Sequence, residues 1–223
     1  GCAPIQVNYL GYPGTMGAKF IDYIIADKTL IPKDKRQYYS EKIVYMPYSY
    51  QVNVSELDIS NSFFKRGELG LPGKGFVFCC FNNAYKITPE TFTGWMNILS
   101  KVDNSVLWLS KTDNTTATQN LKKEAKKLGI AQNRLIFASR LDSKEDHLKR
   151  IQSADLFLDT LPFNAHTTTS DALRAGLPVL TLIGESFASR VAASLLNAVN
   201  LPELITSSQE EYEALAIELA TNQ

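Results

Sequence analysis

The chain is poor in the residues that metal sites and disulfide scaffolds require: three cysteines and two histidines in 223 residues. No Cys-x-x-Cys or His-Glu-x-x-His spacing occurs, which argues against a zinc site. Cys79 and Cys80 are neighbours in a strand-like apolar run, so their side chains point to opposite faces and read as buried thiols. That fits a reducing, cytoplasmic setting. Neither sign of charge is in excess, with 23 Lys+Arg against 23 Asp+Glu. No overall field draws in nucleic acid or a membrane surface, and any anion site must be local. No apolar run approaches the ~20 residues of a membrane span, and no basic-then-apolar leader opens the sequence. Internal repeats and low-complexity tracts are also missing. What is present, 44% hydrophobic and 21% charged residues, suffices for a globular protein with a full core.

From about residue 76 the sequence alternates between strand and helix. Phe76–Phe81 is a continuous apolar run, the mark of a strand buried on both faces. Thr88-Pro-Glu90 opens a helix with Thr88 as cap and Pro89 at its first position. Phe92, Trp95, Met96 and Leu99 form its apolar stripe. Further strands are expected at Ser105–Ser110, Arg134–Ser139, Ala154–Leu161 and Pro178–Ile183. Helices are expected at Gln119–Leu128, Ser143–Ser153, Thr167–Ala175, Ser186–Ala198 and Ser208–Ala220. Lys122, Lys123, Lys126 and Lys127 read as a solvated helix face. Ser143 and Asp146 form a variant capping box. The pattern predicts an α/β fold with a Rossmann-like, doubly wound parallel sheet and right-handed crossovers. Residues 1–75 read as an arm, with strand-like runs at Gln6–Leu10, Phe20–Ile25 and Ile43–Met46, a glycine-rich loop at Gly11–Gly17, and no core of its own.

One stretch stands out, Leu156-Phe-Leu-Asp-Thr-Leu-Pro-Phe-Asn-Ala-His-Thr-Thr-Thr-Ser-Asp171. An apolar strand enters a turn at Pro162, and a helix opens on Thr167, Thr168 and Thr169 with His166 just before it. A helix N-terminus exposes unpaired N–H groups at the positive end of its dipole, a setting for phosphate. A generous N-cap explains the same hydroxyls. In doubly wound sheets ligands bind beyond the carboxyl ends of the strands. Four such loops carry polar groups: Asn82, Asn83 and Lys86; Leu141, Asp142 and Lys144, with His147 and Arg150 on one helix face; His166, Thr167, Thr168 and Asp171; and Gly184, Glu185, Ser186 and Arg190. A nucleoside diphosphate needs such a set: a cation and helix N–H groups for phosphates, a carboxylate for ribose, planar groups for a base. Taken singly, Lys86 and Arg150 are ordinary surface charges and Asp171 an ordinary helix-dipole partner.

Longer blocks carry a resemblance. Asp159–Thr181 resembles the donor-site signature of the protein O-linked N-acetylglucosamine transferases, and Gly184–Ser194 their next motif. Phe81–Pro89, Asn104–Leu109 and Ala3–Gly17 match further blocks, so the resemblance covers essentially the whole chain. It implies the C-terminal, nucleotide-sugar-binding lobe of a two-lobed GT-B glycosyltransferase, with residues 1–75 as the end of the N-terminal lobe and interlobe linker and 76–223 as the Rossmann-like lobe. It further implies that Lys86 holds the diphosphate and assists the leaving group, with His166, Thr167 and Thr168 on the same diphosphate. Asp171 and Lys144 are implied at the ribose. His147, Arg150 and the backbone near Leu141–Asp142 are implied at the uracil. Asn83 stands where the animal enzymes have the longer Gln, Arg174 replaces a Trp, and the Ser139–Asp142 stretch is one residue longer than the animal pattern.

The implied reaction is inverting and metal-independent, with no cofactor: UDP-GlcNAc donates N-acetylglucosamine to Ser or Thr of proteins. The N-terminal catalytic lobe and tetratricopeptide superhelix that engage the protein acceptor are not in these residues, nor are the last C-terminal helices. The fragment alone is therefore expected to transfer little or no sugar. The short Pro47–Gly75 stretch fits a bacterial-type member. Two alternatives stand beside this reading. One is a protein O-fucosyltransferase of the SPINDLY type using GDP-fucose, against which His166 and Asp171 argue. The other is a non-catalytic nucleotide-binding or interaction module.

Overall fold

The computed structural model describes residues 3–54, 59–61, 64–112 and 115–222, with Cys2 lying outside them. Three short strands, β1 (Val7–Asn8), β2 (Tyr23–Ala26) and β3 (Lys42–Tyr45), pair in parallel in that order. Contrary to the expectation from sequence, a small core lies beneath them: Ile24, Ala26, Leu30, Ile31 and Tyr50 are buried with Phe187, Val191 and Leu195. The last three come from the far end of the chain, so residues 1–75 read alone do not reveal it. Asp27 ties the two parts together. One of its carboxylate oxygens accepts from Leu30 N (3.0 Å), the other from Tyr50 N (3.0 Å) and the Ser194 hydroxyl (2.6 Å).

The main sheet has six parallel strands in the order β6-β5-β4-β7-β8-β9. They are β4 (Val77–Cys80), β5 (Val106–Ser110), β6 (Leu135–Ala138), β7 (Leu156–Leu158), β8 (Val179–Leu182) and β9 (Ile205–Thr206). The helices are α1 (Pro89–Lys101), α2 (Thr115–Lys127), α3 (Lys144–Ile151), α4 (Thr167–Arg174), α5 (Val191–Ala198) and α6 (Gln209–Thr221). α1 packs with α6, and α4 packs with both α3 and α5, as helices flanking a doubly wound sheet do. Trp95, Trp108, Phe78 and Phe157 are fully buried in the core. Cys79 and Cys80 are buried free thiols, as read from the sequence. Thr88 caps α1, Ser143 caps α3 and Ser208 caps α6, each hydroxyl accepting from the backbone N–H three residues on.

Three details depart from the sequence reading. The run at 154–161 forms a strand over only three residues, Leu156–Leu158. At its start the Asp155 carboxylate accepts from Val77 N (2.8 Å), and beyond Asp159, whose N–H still donates to Leu180 O (3.0 Å), the chain turns into the next loop. The helix expected at 186–198 is split into a 3₁₀ turn, Phe187–Ser189, and α5, since the Ser189 hydroxyl bonds back to Ser186 O (2.9 Å). The two-residue β9 has no visible periodicity to betray it. Among the described residues no helix is long and apolar enough to cross a membrane.

The strand order fixes where a ligand can sit. The chain runs from β4 outward to β5 and β6, then returns to the other side of β4 as β7. The crevice beyond the carboxyl ends of β4 and β7 is the topological switch point.

Candidate functional site

The two loops flanking the switch point carry the residues singled out above. After β4 the chain buries Phe81 and Asn82, then turns through Ala84–Lys86. After β7 comes the loop from Asp159 to His166, built around the buried Asp159 carboxylate. It accepts from Thr160 N (2.8 Å), Ala165 N (2.6 Å) and the Thr181 hydroxyl (2.7 Å). Burial pushes the Asp159 carboxyl up to about 6, against the pull of those bonds. Asn82 joins the loops: its amide donates to Thr160 Oγ1 (2.8 Å) and its carbonyl accepts from the Thr168 hydroxyl.

Lys86 reaches across the crevice. Its ammonium donates to Asn164 O (2.8 Å) and stands 4.1 Å from the centre of the Phe163 ring. Burial lowers its pKa, opposed by the charge of Asp159. Among the described residues Lys86 makes no ion pair. Its ammonium is thus held in place without a carboxylate in direct contact among those residues.

Opposite Lys86 is the N-terminus of α4. His166 occupies the cap position and makes no side-chain cap. The Thr168 hydroxyl goes to Asn82, and the Thr169 hydroxyl turns back to Ala165 O (3.1 Å). Thr167 is exposed. The cap reading of these hydroxyls therefore does not describe the structure. His166 stacks on Phe163 (centroids 4.8 Å, 22° between planes), and its Nε2 faces Ala188 O at 3.3 Å. A carbonyl only accepts, so Nε2 carries the proton. Burial holds the ring down at about 4, hence neutral at pH 7.

The other wall comes from α3 and the loop before it. Arg150 donates through Nε to His147 Nδ1 (3.2 Å) and through its guanidinium to Ser139 O. Both lean on Phe81: the His147 ring edge-on at 5.5 Å, the guanidinium 5.5 Å from the ring centre. Burial and the Arg150 charge hold His147 at about 4. Lys144 pairs with Asp171.

Two adjoining depressions result. One, of ≈230 Å³, is lined by Tyr85, Lys86, His166 and Thr167 among others. The other, of ≈700 Å³, includes Leu141, Asp142, Lys144, His147 and Arg150. Phe81, Asn82, Asn83 and Thr168 border both, so the two form one trough. The structure thus brings together Asn83, Lys86, Leu141, Asp142, Lys144, His147, Arg150, His166, Thr167 and Thr168. Asp171 does not line the trough; it sits nearly buried behind Lys144. Gly184, Glu185 and Ser186 stand apart from it, with Glu185 paired to Lys35. Sequence reasoning named Asn82 only as one of the polar strand-end groups and gave no role to Phe81, Phe163, Asp159 or Lys111, the last of which also lines the larger depression. Asp159 had a usable signal, an acid placed directly after a buried apolar strand.

The histidines make stability pH-dependent. A base whose folded pKa lies below its unfolded value stabilises the fold above the unfolded pKa, and that stability is lost as pH falls toward the folded pKa. With His147 and His166 each near 4 against 6.5, the window runs from about 6.5 to 4. After allowance for part exposure each contributes about 2 kcal/mol. Asp159 acts in the opposite sense and offsets part of this. Thermal midpoints are expected to fall from pH 7 to pH 4, and His147→Asn with His166→Asn to flatten that fall. A level profile in the unsubstituted chain contradicts the assignment.

With this geometry in hand, comparison with known proteins defines the class and then the family. The fold is that of a GT-B glycosyltransferase lobe. The solved structure of a Thermobaculum terrenum O-GlcNAc transferase mutant has TM-score 0.85 and 31% identity, covering 98% of this chain and 41% of that one. Sucrose-phosphate synthase from Thermosynechococcus elongatus shares the fold alone, with TM-score 0.53 and 11% identity over 90% of this chain and 54% of that one. Residues 1–61 and 55–223 match glycosyl transferase family 41, and the chain belongs to that family. The probable UDP-N-acetylglucosamine–peptide N-acetylglucosaminyltransferase SEC of Arabidopsis thaliana is 42% identical over 227 residues, 99% of this chain and 23% of that protein. The rice protein of the same description, named SPINDLY, is 34% identical over 99% of this chain and 24% of its own length. The chain thus spans about a quarter of the curated relatives it matches.

Proposed function

We propose that this chain is the donor-binding lobe of an inverting protein O-GlcNAc transferase. UDP-GlcNAc lies in the trough, its diphosphate between Lys86 and the N-terminus of α4, close to Thr167, Thr168 and His166. Uracil sits toward His147, Arg150 and the Leu141–Asp142 backbone. Lys144, fixed by Asp171, faces the ribose, and Asn83 stands at the lip. A Ser or Thr hydroxyl of a protein acceptor attacks the anomeric carbon as the bond from that carbon to the UDP oxygen breaks. The acceptor proton passes to a base outside these residues. Negative charge grows on the leaving diphosphate, where a fixed cation and a helix N-terminus stabilise it without a divalent ion.

The observation that carries this reading is the pairing of an ammonium that makes no ion pair among the described residues with a helix N-terminus lacking a side-chain cap, in one depression. Family membership and the names of the relatives support the donor and acceptor classes. Residues 1–75 belong in this reading to the end of the N-terminal lobe and the interlobe linker. The free thiols at Cys79 and Cys80 suit a cytoplasmic protein. The test is sugar transfer to protein by the complete enzyme, supplied in turn with UDP-GlcNAc and GDP-fucose. Transfer from UDP-GlcNAc is expected. Transfer from GDP-fucose alone overturns the donor assignment, and no transfer from either favours a binding module.

A further inference from the structure

Lys86 is held by two groups of the loop between β7 and α4, and one of them is an aromatic ring. Phe163 lies between two site residues. Its ring meets the Lys86 ammonium on a 4.1 Å approach and stacks on the His166 imidazole at 4.8 Å. The neighbouring Asn164 supplies a hydrogen-bond acceptor, its carbonyl at 2.8 Å. The loop that presents both is fixed from behind by Asp159, through Thr160 N and Ala165 N.

The choice of partners has a physical consequence. An anion site needs its cation in one place before the anion arrives, or part of the binding free energy goes into ordering a long side chain. A carboxylate partner would order Lys86 and also neutralise it, competing with the ligand. A carbonyl and a ring face order it and leave its charge available. The attraction of an ammonium to a ring face also strengthens when the pair is desolvated, as the part-buried Lys86 is.

We infer that Phe163 is a positioning residue of the donor site: its ring, with the Asn164 carbonyl, presets the Lys86 ammonium toward the diphosphate and sets the His166 ring beside it. This rests on the donor-site reading above and deepens it. Phe163 touches no reacting atom; it acts through Lys86.

The test has two arms, both on the full chain with Phe163→Leu, which keeps apolar bulk and loses the ring face, and Phe163→Tyr, which keeps the ring. In the first arm, without ligand, NMR of labelled lysine reads the ε-methylene protons of Lys86. Ring shielding is expected to move them upfield in the unsubstituted chain and in Phe163→Tyr, and Phe163→Leu to abolish the shift. An ordinary shift in the unsubstituted chain overturns the inference. In the second arm, UDP is titrated by calorimetry. Phe163→Leu is expected to weaken UDP about five- to tenfold, Phe163→Tyr to restore it, and Phe163→Leu to add nothing in a Lys86→Ala background. An equal loss in both backgrounds means that Phe163 acts by shape alone and overturns the inference. A chain that keeps the ring shift but binds no UDP overturns the transferase reading while retaining the hold of Phe163 on Lys86.

Discussion

Lys86→Ala is expected to lower the turnover of the complete transferase by about 10²–10³-fold, the usual cost of removing one group that stabilises charge in a transition state. The reason lies in timing. In the proposed reaction Lys86 would meet the diphosphate in the ground state, but the charge it faces would grow as the bond to the anomeric carbon breaks, so turnover should fall more than donor affinity. The substitution should leave the fold intact. Among the described residues Lys86 makes one hydrogen bond and one ring contact in the trough, and it is not part of the core. Steady-state kinetics with UDP-GlcNAc and a protein acceptor check this, with a thermal melt as control. A loss below about threefold contradicts a leaving-group role and is what a structural lysine would show.

The second large effect concerns stability. Asp159→Ala removes the acceptor for Thr160 N, Ala165 N and the Thr181 hydroxyl, all buried. Leaving such donors unpaired is expected to cost about 3 kcal/mol at pH 5, a fall in thermal midpoint of roughly 6–12 °C for a chain of this size. The loss should depend on pH in a stated direction. The Asp159 carboxyl has a folded pKa of about 6 against an ordinary 3.8. An acid with a raised folded pKa contributes stability below its unfolded pKa, and that stability is lost as pH rises through the folded pKa. The penalty of Asp159→Ala should therefore be larger at pH 5 than at pH 8. His147 and His166 titrate in both proteins and cancel in the difference. Asp159→Asn, which keeps one acceptor, should lose less than half as much at pH 5. Denaturant melts at pH 5 and 8 check it; a penalty that grows with pH contradicts the assignment of a buried carboxylate.

These residues also show where sequence is informative and where it is not. The alternation of strand and helix from residue 76 is carried by local apolar periodicity and by caps such as Thr88-Pro89 and Ser143, so the elements are legible. The trough is legible in part, because in a doubly wound sheet strand ends converge, and a polar residue just past an apolar run can be placed by topology alone. What local pattern does not carry is how side chains pair across the fold. Thr168 and Asn82 meet across 86 residues, and Lys144 and Asp171 across 27. The reading that puts Asp171 and Lys144 together at the ribose carries no sign of the ion pair between them, which only the fold brings about. The sequence pattern gives Phe163 no role, because its partner Lys86 comes from the other loop, 77 residues away in the chain. The core under β1–β3 was missed for a similar reason, since Phe187, Val191 and Leu195 complete it.

The central claim is that the trough at the switch point takes a nucleoside diphosphate, with phosphates between Lys86 and the start of α4. The most direct measurement is titration of UDP into the isotope-labelled chain, followed residue by residue by NMR. The account predicts saturable shifts at Asn83, Lys86, Thr167 and Thr168 and along Leu141–His147, with GDP producing weaker ones. Shifts confined to another depression, such as that between Arg66 and Asp155 at the opposite ends of the strands, or no shifts at all, would contradict it.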